Sequence, residues 1–287
     1  MSWAALVLHV ILVAVAVPVL AVLSNLVRNR IQGRPGPVTQ PWRDLARFWA
    51  KGAPVPPGTT ALFAAGPPAA GAAAVLVLVL VPSFSLGTAA ASGADLILLL
   101  VLLAVPRGAL LLATMDGGTA PGLAPASSVH LGIWPVVALV AMVAVLLSGS
   151  TNLMAAATAV RDGGSGARLV GLLAGAAVFT MAVSQPALPD RGFSGRHRAL
   201  VLLAGWTQQV ATLSIVAALA APFALAPPDA GLDAWAVGAA AWVVKISVLT
   251  ALAAVFGTRP GLAPVLLPAA AILAVMAVVL SGAPGPA

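Results

Sequence analysis

Residues 3–23 read WAALVLHVILVAVAVPVLAVL, with no Asp, Glu, Lys or Arg among them. A helix crosses roughly 30 Å of hydrocarbon with about 20 apolar residues, so this stretch is long enough to span a bilayer. No basic region precedes it and no small-residue cleavage site follows it, so it reads as a retained helix and not a signal peptide. Seven further stretches meet the same standard: residues 65–84, 95–114, 131–149, 168–185, 199–221, 234–256 and 262–282. Pro67 and Pro68 blur the start of the second. Open strands cannot exist in lipid, and no alternating barrel pattern appears. The expectation is all-α: an integral membrane bundle of about eight transmembrane helices, forming one membrane domain over residues 1–287.

Composition agrees. The 287 residues are 61% hydrophobic and 7% charged, with a mean hydropathy of +1.08. Soluble domains carry roughly 25% charged residues, so a water-soluble globule is excluded. All seven acids are Asp, and Glu, Cys and Tyr are missing. No disulfide, thiolate metal site or iron–sulfur cluster can be ligated by cysteines of this chain. The net charge of +7 suits nucleic acid only until the charges are placed. Arg28, Arg30, Arg34, Arg43, Arg47 and Lys51 follow the first span, Arg191, Arg196 and Arg198 the fifth, and Arg259 the seventh. The opposite side holds only Arg161 and Arg168, beside Asp229 and Asp233. This asymmetry predicts both termini outside, a long basic cytoplasmic loop and a multi-pass protein of the cell (inner) membrane. Nucleic-acid binding is set aside.

That loop, residues 25–57, reads NLVRNRIQGRPGPVTQPWRDLARFWAKGAPVPP. Gly33 to Pro37 cannot continue a helix, because Pro fixes φ and lacks a donor while Gly permits the turn. Residues 40–51 then predict a short amphipathic helix with an apolar stripe at Leu45, Phe48 and Trp49. Arg43, Arg47 and Lys51 form a basic stripe at i, i+4 and i+8. Such a helix lies in the interface plane. Two readings stand: surface anchoring, or a platform for a cytoplasmic partner.

Two cations fall inside spans. Lys245 lies about 10 residues, roughly 15 Å, into the seventh span. At that depth it is expected to face the bundle interior, as a charge relay or as a structural group tied to an acid or to backbone carbonyls. Asp95, Asp116 or a partner subunit is the expected counter-charge. Arg107 lies roughly 10 Å from the basic end of the third span, either snorkelling or facing inward. Asp116 with Gly117 and Gly118 reads as a helix-terminating turn. His9, His130 and His197 are too dispersed for haem or metal. Trp3, Trp42, Trp49, Trp134 and Trp235 fall near predicted membrane edges. Gln208 and Gln209 read as bridges between helices. No Walker loop, nucleotide fingerprint, catalytic Ser/His/Asp set or metal-ligand cluster is present, so no catalytic or metal residue is assigned.

The run from Arg30 to Pro37, then Gln40-Pro-Trp-Arg-Asp44, resembles the first cytoplasmic loop of the H-type membrane subunit family of respiratory complex I (NADH-quinone oxidoreductase). It is closer still to the homologous membrane subunit (subunit 4) of formate hydrogenlyase and other group 4 membrane-bound NiFe hydrogenases. Ala94-Asp95-Leu96, Arg107, residues 115–121 (MDGGTAP), Gly149-Ser-Thr-Asn152, Leu188-Pro189-Asp190 and Val244-Lys245 match in order. The resemblance implies eight spans and a non-catalytic subunit of an oxidoreductase complex that anchors a soluble arm and takes part in proton translocation. Its docking residues would be Arg28, Arg30, Arg34, Gly36, Pro37, Gln40, Arg43, Asp44, Arg47 and Lys51, with Asp190, Arg191, Arg196 and Arg198 in the loop between spans five and six. Arg107, Asp116 and Lys245 would be the intramembrane polar or relay groups. The implied partners are hydrogenase-like or quinone-module subunits carrying iron–sulfur clusters and a NiFe or other redox centre, together with antiporter-like membrane subunits. No cofactor is expected on this chain.

One departure bears on function. After the fifth span the family carries several Glu, whereas this chain reads VSQPALPDRGFSGRHR over residues 183–198. Ser184 stands where the first Glu would be, and Arg196 and Arg198 invert the charge of the acidic run. Proton relays need ionisable groups within hydrogen-bond reach, so the usual path is expected to be absent. The same loss argues against quinone binding. The alternative from another class is a stand-alone permease or channel unlinked to electron transfer.

Overall fold

The computed structural model describes residues 2–34, 36–118, 133–185, 187–190 and 192–282. His130, Arg191, the Thr119–Pro121 part of the MDGGTAP match, the first residues of the expected fourth span and the Trp134 side chain lie outside the described part. Ten α-helices run in order among the described residues: α1 (Ser2–Ile31), α2 (Gln40–Trp49), α3 (Ala61–Leu80), α4 (Leu96–Asp116), α5 (Ile133–Ser148), α6 (Leu153–Asp162), α7 (Ser165–Ser184), α8 (Gly195–Ala220), α9 (Leu232–Gly257) and α10 (Ala263–Gly282). No strand forms among them; two isolated bridges, Ser85 with Ala226 and Asp95 with Asn152, are the only extended pairings. Seven helices are long and apolar enough to cross a membrane: α1, α3, α4, α7, α8, α9 and α10. The chain is a multi-pass membrane protein.

Several boundaries move, each for a physical reason. α1 runs to Ile31 and not Leu23, because nothing before Gly33 (φ +62°) stops it. At 30 residues it is about 45 Å long, so Arg28 and Arg30 sit on its last turn and not in a loop. α3 starts at Ala61, four residues ahead of expectation, with Pro67 and Pro68 inside it. Its first N–H groups are satisfied from outside the helix: Thr60 Oγ1 accepts from Leu62, and the Asp116 carboxylate accepts from Thr60 and Phe63 at 2.9 and 3.2 Å. α8 starts at Gly195, so Arg196, His197 and Arg198 form its first turn. The expected fourth span appears as α5, 16 residues long.

The loop expected after α5 contains α6. Asn152 caps it, its side-chain oxygen accepting from Met154 and Ala155, and Leu153, Met154, Ala156, Ala157 and Val160 are buried. Asp95 caps α4 by accepting from Leu98 at 3.0 Å and also accepts from the Thr151 hydroxyl. Leu96 donates to Thr151 O and Leu153 to Ala94 O, so the two caps are laced together by backbone. The Thr151 hydroxyl is the main reason the Asp95 carboxyl lies below its ordinary 3.8, with backbone N–H groups adding to it. A depressed carboxyl stabilises the fold above that value and ceases to do so as pH falls through its folded one. Asp95→Ala is expected to cost about 1 kcal/mol above pH 5, and less as pH falls through the folded value, read by detergent melting curves. The absence of any cost above pH 5 would contradict the capping role.

α8 is the central helix, and every side chain from Val210 to Leu219 is buried. Its hydroxyls return to their own backbone, Thr212 to Gln208 O and Ser214 to Val210 O, which makes that burial tolerable. α7 lies against it through Gly171-Leu-Leu-Ala-Gly175, a small-xxx-small pair. A Cβ on Gly171 would meet Leu219 O and Val160 Cγ1 at 2.6 Å, and one on Gly175 would meet Ala220 Cβ at 2.6 Å. Trp235 is no belt residue: it is 5% exposed and packs on Phe84 with ring centroids 5.9 Å apart. Trp3, Trp42 and Trp49 are exposed.

Candidate functional site

The basic ends of the helices build one platform. α2 has a strongly segregated apolar and basic surface and buries no residue fully. It is held internally by Gln40, whose amide donates to Asp44 at 3.0 Å, and by the Arg47–Asp44 pair at 3.1 Å. Pro37 O accepts from Gln40 N, and Gly36 lies over the Asn29 amide, where a Cβ would approach to 3.1 Å. The first turn of α8 then locks onto the far end of α2. Arg196 donates from Nε to Trp49 O at 3.3 Å and from its backbone to Gly52 O at 3.4 Å. Gly195 (φ +52°) makes this approach feasible, since a Cβ there would lie 1.7 Å from Gly52 O. Arg198 pairs with Asp190 at 2.8 Å and stacks on the Phe48 ring at 4.8 Å, with Arg47 on the same ring at 5.0 Å.

Beneath the platform Phe63 lies 5.2 Å from Phe193 and edge-on to His197 at 5.9 Å. Phe63, Phe193 and His197 are buried. No member of this cluster stands out in the sequence as a site residue, because the three lie on separate segments. The only sequence signal is aromatic residues beside predicted basic ends. Asp116 belongs here too, but as the cap of α3.

The intramembrane groups are not brought together. Arg107 is buried in α4, nine residues before Asp116, or about 14 Å. Gln208 of α8 bridges to α4, donating to Leu103 O at 2.7 Å. Lys245 is only half-buried, and its ammonium reaches Ala221 O at 2.7 Å and Phe223 O, with the Phe223 ring at 3.9 Å. Neither Asp95 nor Asp116 is its counter-charge: Asp95 caps α4 and Asp116 caps α3. Helical side chains lean towards their helix N-terminus, and that lean carries Lys245 towards the end of α8 opposite the platform. Ser184 donates its hydroxyl proton to Met181 O of its own helix. His9 is tied to Ser83 Oγ at 2.7 Å and Leu78 O at 3.0 Å, a structural bridge from α1 to the end of α3. Among the described residues no three of His or Asp gather as a metal site.

No protein-family model matches the sequence, and no curated protein matches it. Among solved structures, the chain is similar to one from the membrane-bound sulfane sulfur reductase (MBS), described as an archaeal respiratory membrane complex. The TM-score is 0.74 at 19% identity, over 96% of this chain and 99% of that one. The two chains share a fold.

Proposed function

We propose that this chain is the membrane-embedded anchoring component of a complex I-like or group 4 hydrogenase-like oxidoreductase, related to the H-type subunit of complex I and to formate hydrogenlyase subunit 4. It performs no chemistry itself. The observation that carries the reading is the platform of α2 and the α8 N-terminus, on a fold that a respiratory-complex chain shares end to end. In this role the platform seats a cytoplasmic hydrogenase-like or quinone-module protein that carries the iron–sulfur and NiFe or other redox centres. Antiporter-like subunits pack alongside in the membrane.

The chain is not the proton path of that complex. Every described Asp lies on the surface helix α2, at a helix end or in a loop, and the spans carry Arg107 and Lys245 between those ends. Cations without an intervening carboxylate set a barrier to a further positive charge. Purification of the tagged chain from its native membrane in mild detergent is expected to bring iron-bearing soluble subunits with it; elution alone would end the reading. In the purified complex reconstituted in vesicles, Lys245→Ala is expected to leave protons moved per electron unchanged. Pumping that vanishes in this variant and persists without any antiporter-like subunit would refute the barrier.

A further inference from the structure

The acids of the basic end are already used. Asp44 holds Arg47 and Gln40, Asp190 holds Arg198, and Asp116 caps α3. Among the described residues no carboxylate pairs with Arg28, Arg30, Arg34 or Arg43, and all four are exposed. Three of them ring the end of α1: Arg28 and Arg30, two residues apart, point to different sides of the helix, Arg28 towards Gly257 of α9. Arg28 and Arg30 are on the last turn of α1, and the chain folds straight back so that Arg34 donates its N–H to Asn29 O at 3.0 Å. α2 touches α1 and carries Arg43 together with Trp42 and Trp49, which are 44% and 49% exposed.

From this we infer that the end of α1 and the adjoining surface of α2 gather the phosphate headgroups of anionic phospholipids. The placement sets the occupant. A helix of about 45 Å equals the thickness of a bilayer with its headgroup layers, so the arginines at its end lie at phosphate level. Flanking tryptophans prefer that same layer. Basic residues clustered at the end of a span and on an amphipathic helix attract acidic lipid, each contributing about a fivefold preference near the surface. A soluble acidic protein would meet the arginines without using the exposed indoles. The site shares α2 with the platform of the proposed complex, yet its test needs only this chain and lipid.

Native mass spectrometry of the full chain, titrated in mixed micelles with dioleoylphosphatidylglycerol or dioleoylphosphatidylcholine, tests the inference. Binding is expected to favour the anionic lipid, and Arg28→Gln/Arg30→Gln/Arg34→Gln is expected to weaken it on the order of a hundredfold. The corresponding triple Arg→Lys variant is expected to restore most of the preference, which separates charge from folding. Glycerol phosphate without acyl chains is expected to bind far more weakly. Equal binding of the two lipids, full retention of the preference in the Gln variant, or equal binding of free glycerol phosphate would each overturn the proposal. Loss of a soluble subunit in the Gln variant, with lipid preference unchanged, would overturn it in favour of protein docking.

Discussion

Gly195→Val is expected to free α2 from α8 while leaving the spans in the membrane. Two costs combine. The backbone at φ +52° suits glycine, and a β-branched residue there is strained by about 1–2 kcal/mol. The new Cβ would also fall 1.7 Å from Gly52 O, far inside contact distance. The segments must separate by more than about an ångström to restore ordinary contact, which breaks both Arg196 contacts and draws Arg198 off Phe48. Overpacking of this kind costs typically 1–3 kcal/mol, for a total on the order of 3–4 kcal/mol. Hydrogen exchange over residues 40–51 should rise at least about tenfold, since about 1.4 kcal/mol is a factor of ten. The matching control is Gly52→Ala, whose Cβ meets open space and which should exchange like the parent. Unchanged protection of α2 in Gly195→Val would show that the platform is not locked at this point.

Gly171→Leu attacks the other tight contact. α7 and α8 meet where backbone oxygens of α8 lie within 2.6–3.1 Å of the Cβ positions of Gly171 and Gly175. Membrane helices associate through packing, with little hydrophobic driving force between them, so lost fit is not recovered by burial. Displacing α7 from the most enclosed helix of the bundle should cost about 3 kcal/mol, seen as a large loss of folded protein in detergent. Gly166→Ala, on the same helix with nothing near its Cβ, should be neutral or stabilising by up to about 1 kcal/mol. Parallel behaviour of the two variants would mean that the α7–α8 contact is not what holds the bundle.

The spans are legible in the sequence because a run of apolar residues is a local signal: Leu96–Asp116 departs from the expected 95–114 by one or two residues at each end. What depends on a distant partner is not legible. The early start of α3 needs Asp116, 53 residues away from Phe63. α6 carries a readable signature, Asn152 before apolar residues at 153, 156, 157 and 160, yet its length falls far below a span. Trp235 fits the rule for membrane edges, but Phe84 draws it inward. Lys245 shows the same limit from the other side. Its position in the chain gives its depth, but carbonyls at the end of another helix decide where the charge ends up. For the docking platform, α2 and its charges are readable, whereas the Phe63, Phe193 and His197 layer beneath it requires three segments to meet.

The described residues join the two faces of the bundle in different ways. Opposite the platform, the connections are sewn to one another: Asp95 to Thr151, Leu153 to Ala94, Ala226 to Phe84, Leu86 to Ala226, and Arg161 and Lys245 onto the carbonyls of Leu225, Ala221 and Phe223. On the platform side, among the described residues, joints lie around Gly52, Trp49 and Asp116. A load placed on α2 therefore enters the bundle first through the seam of Gly52, Trp49 and the head of α8, which makes that seam the transmission point between surface helix and spans.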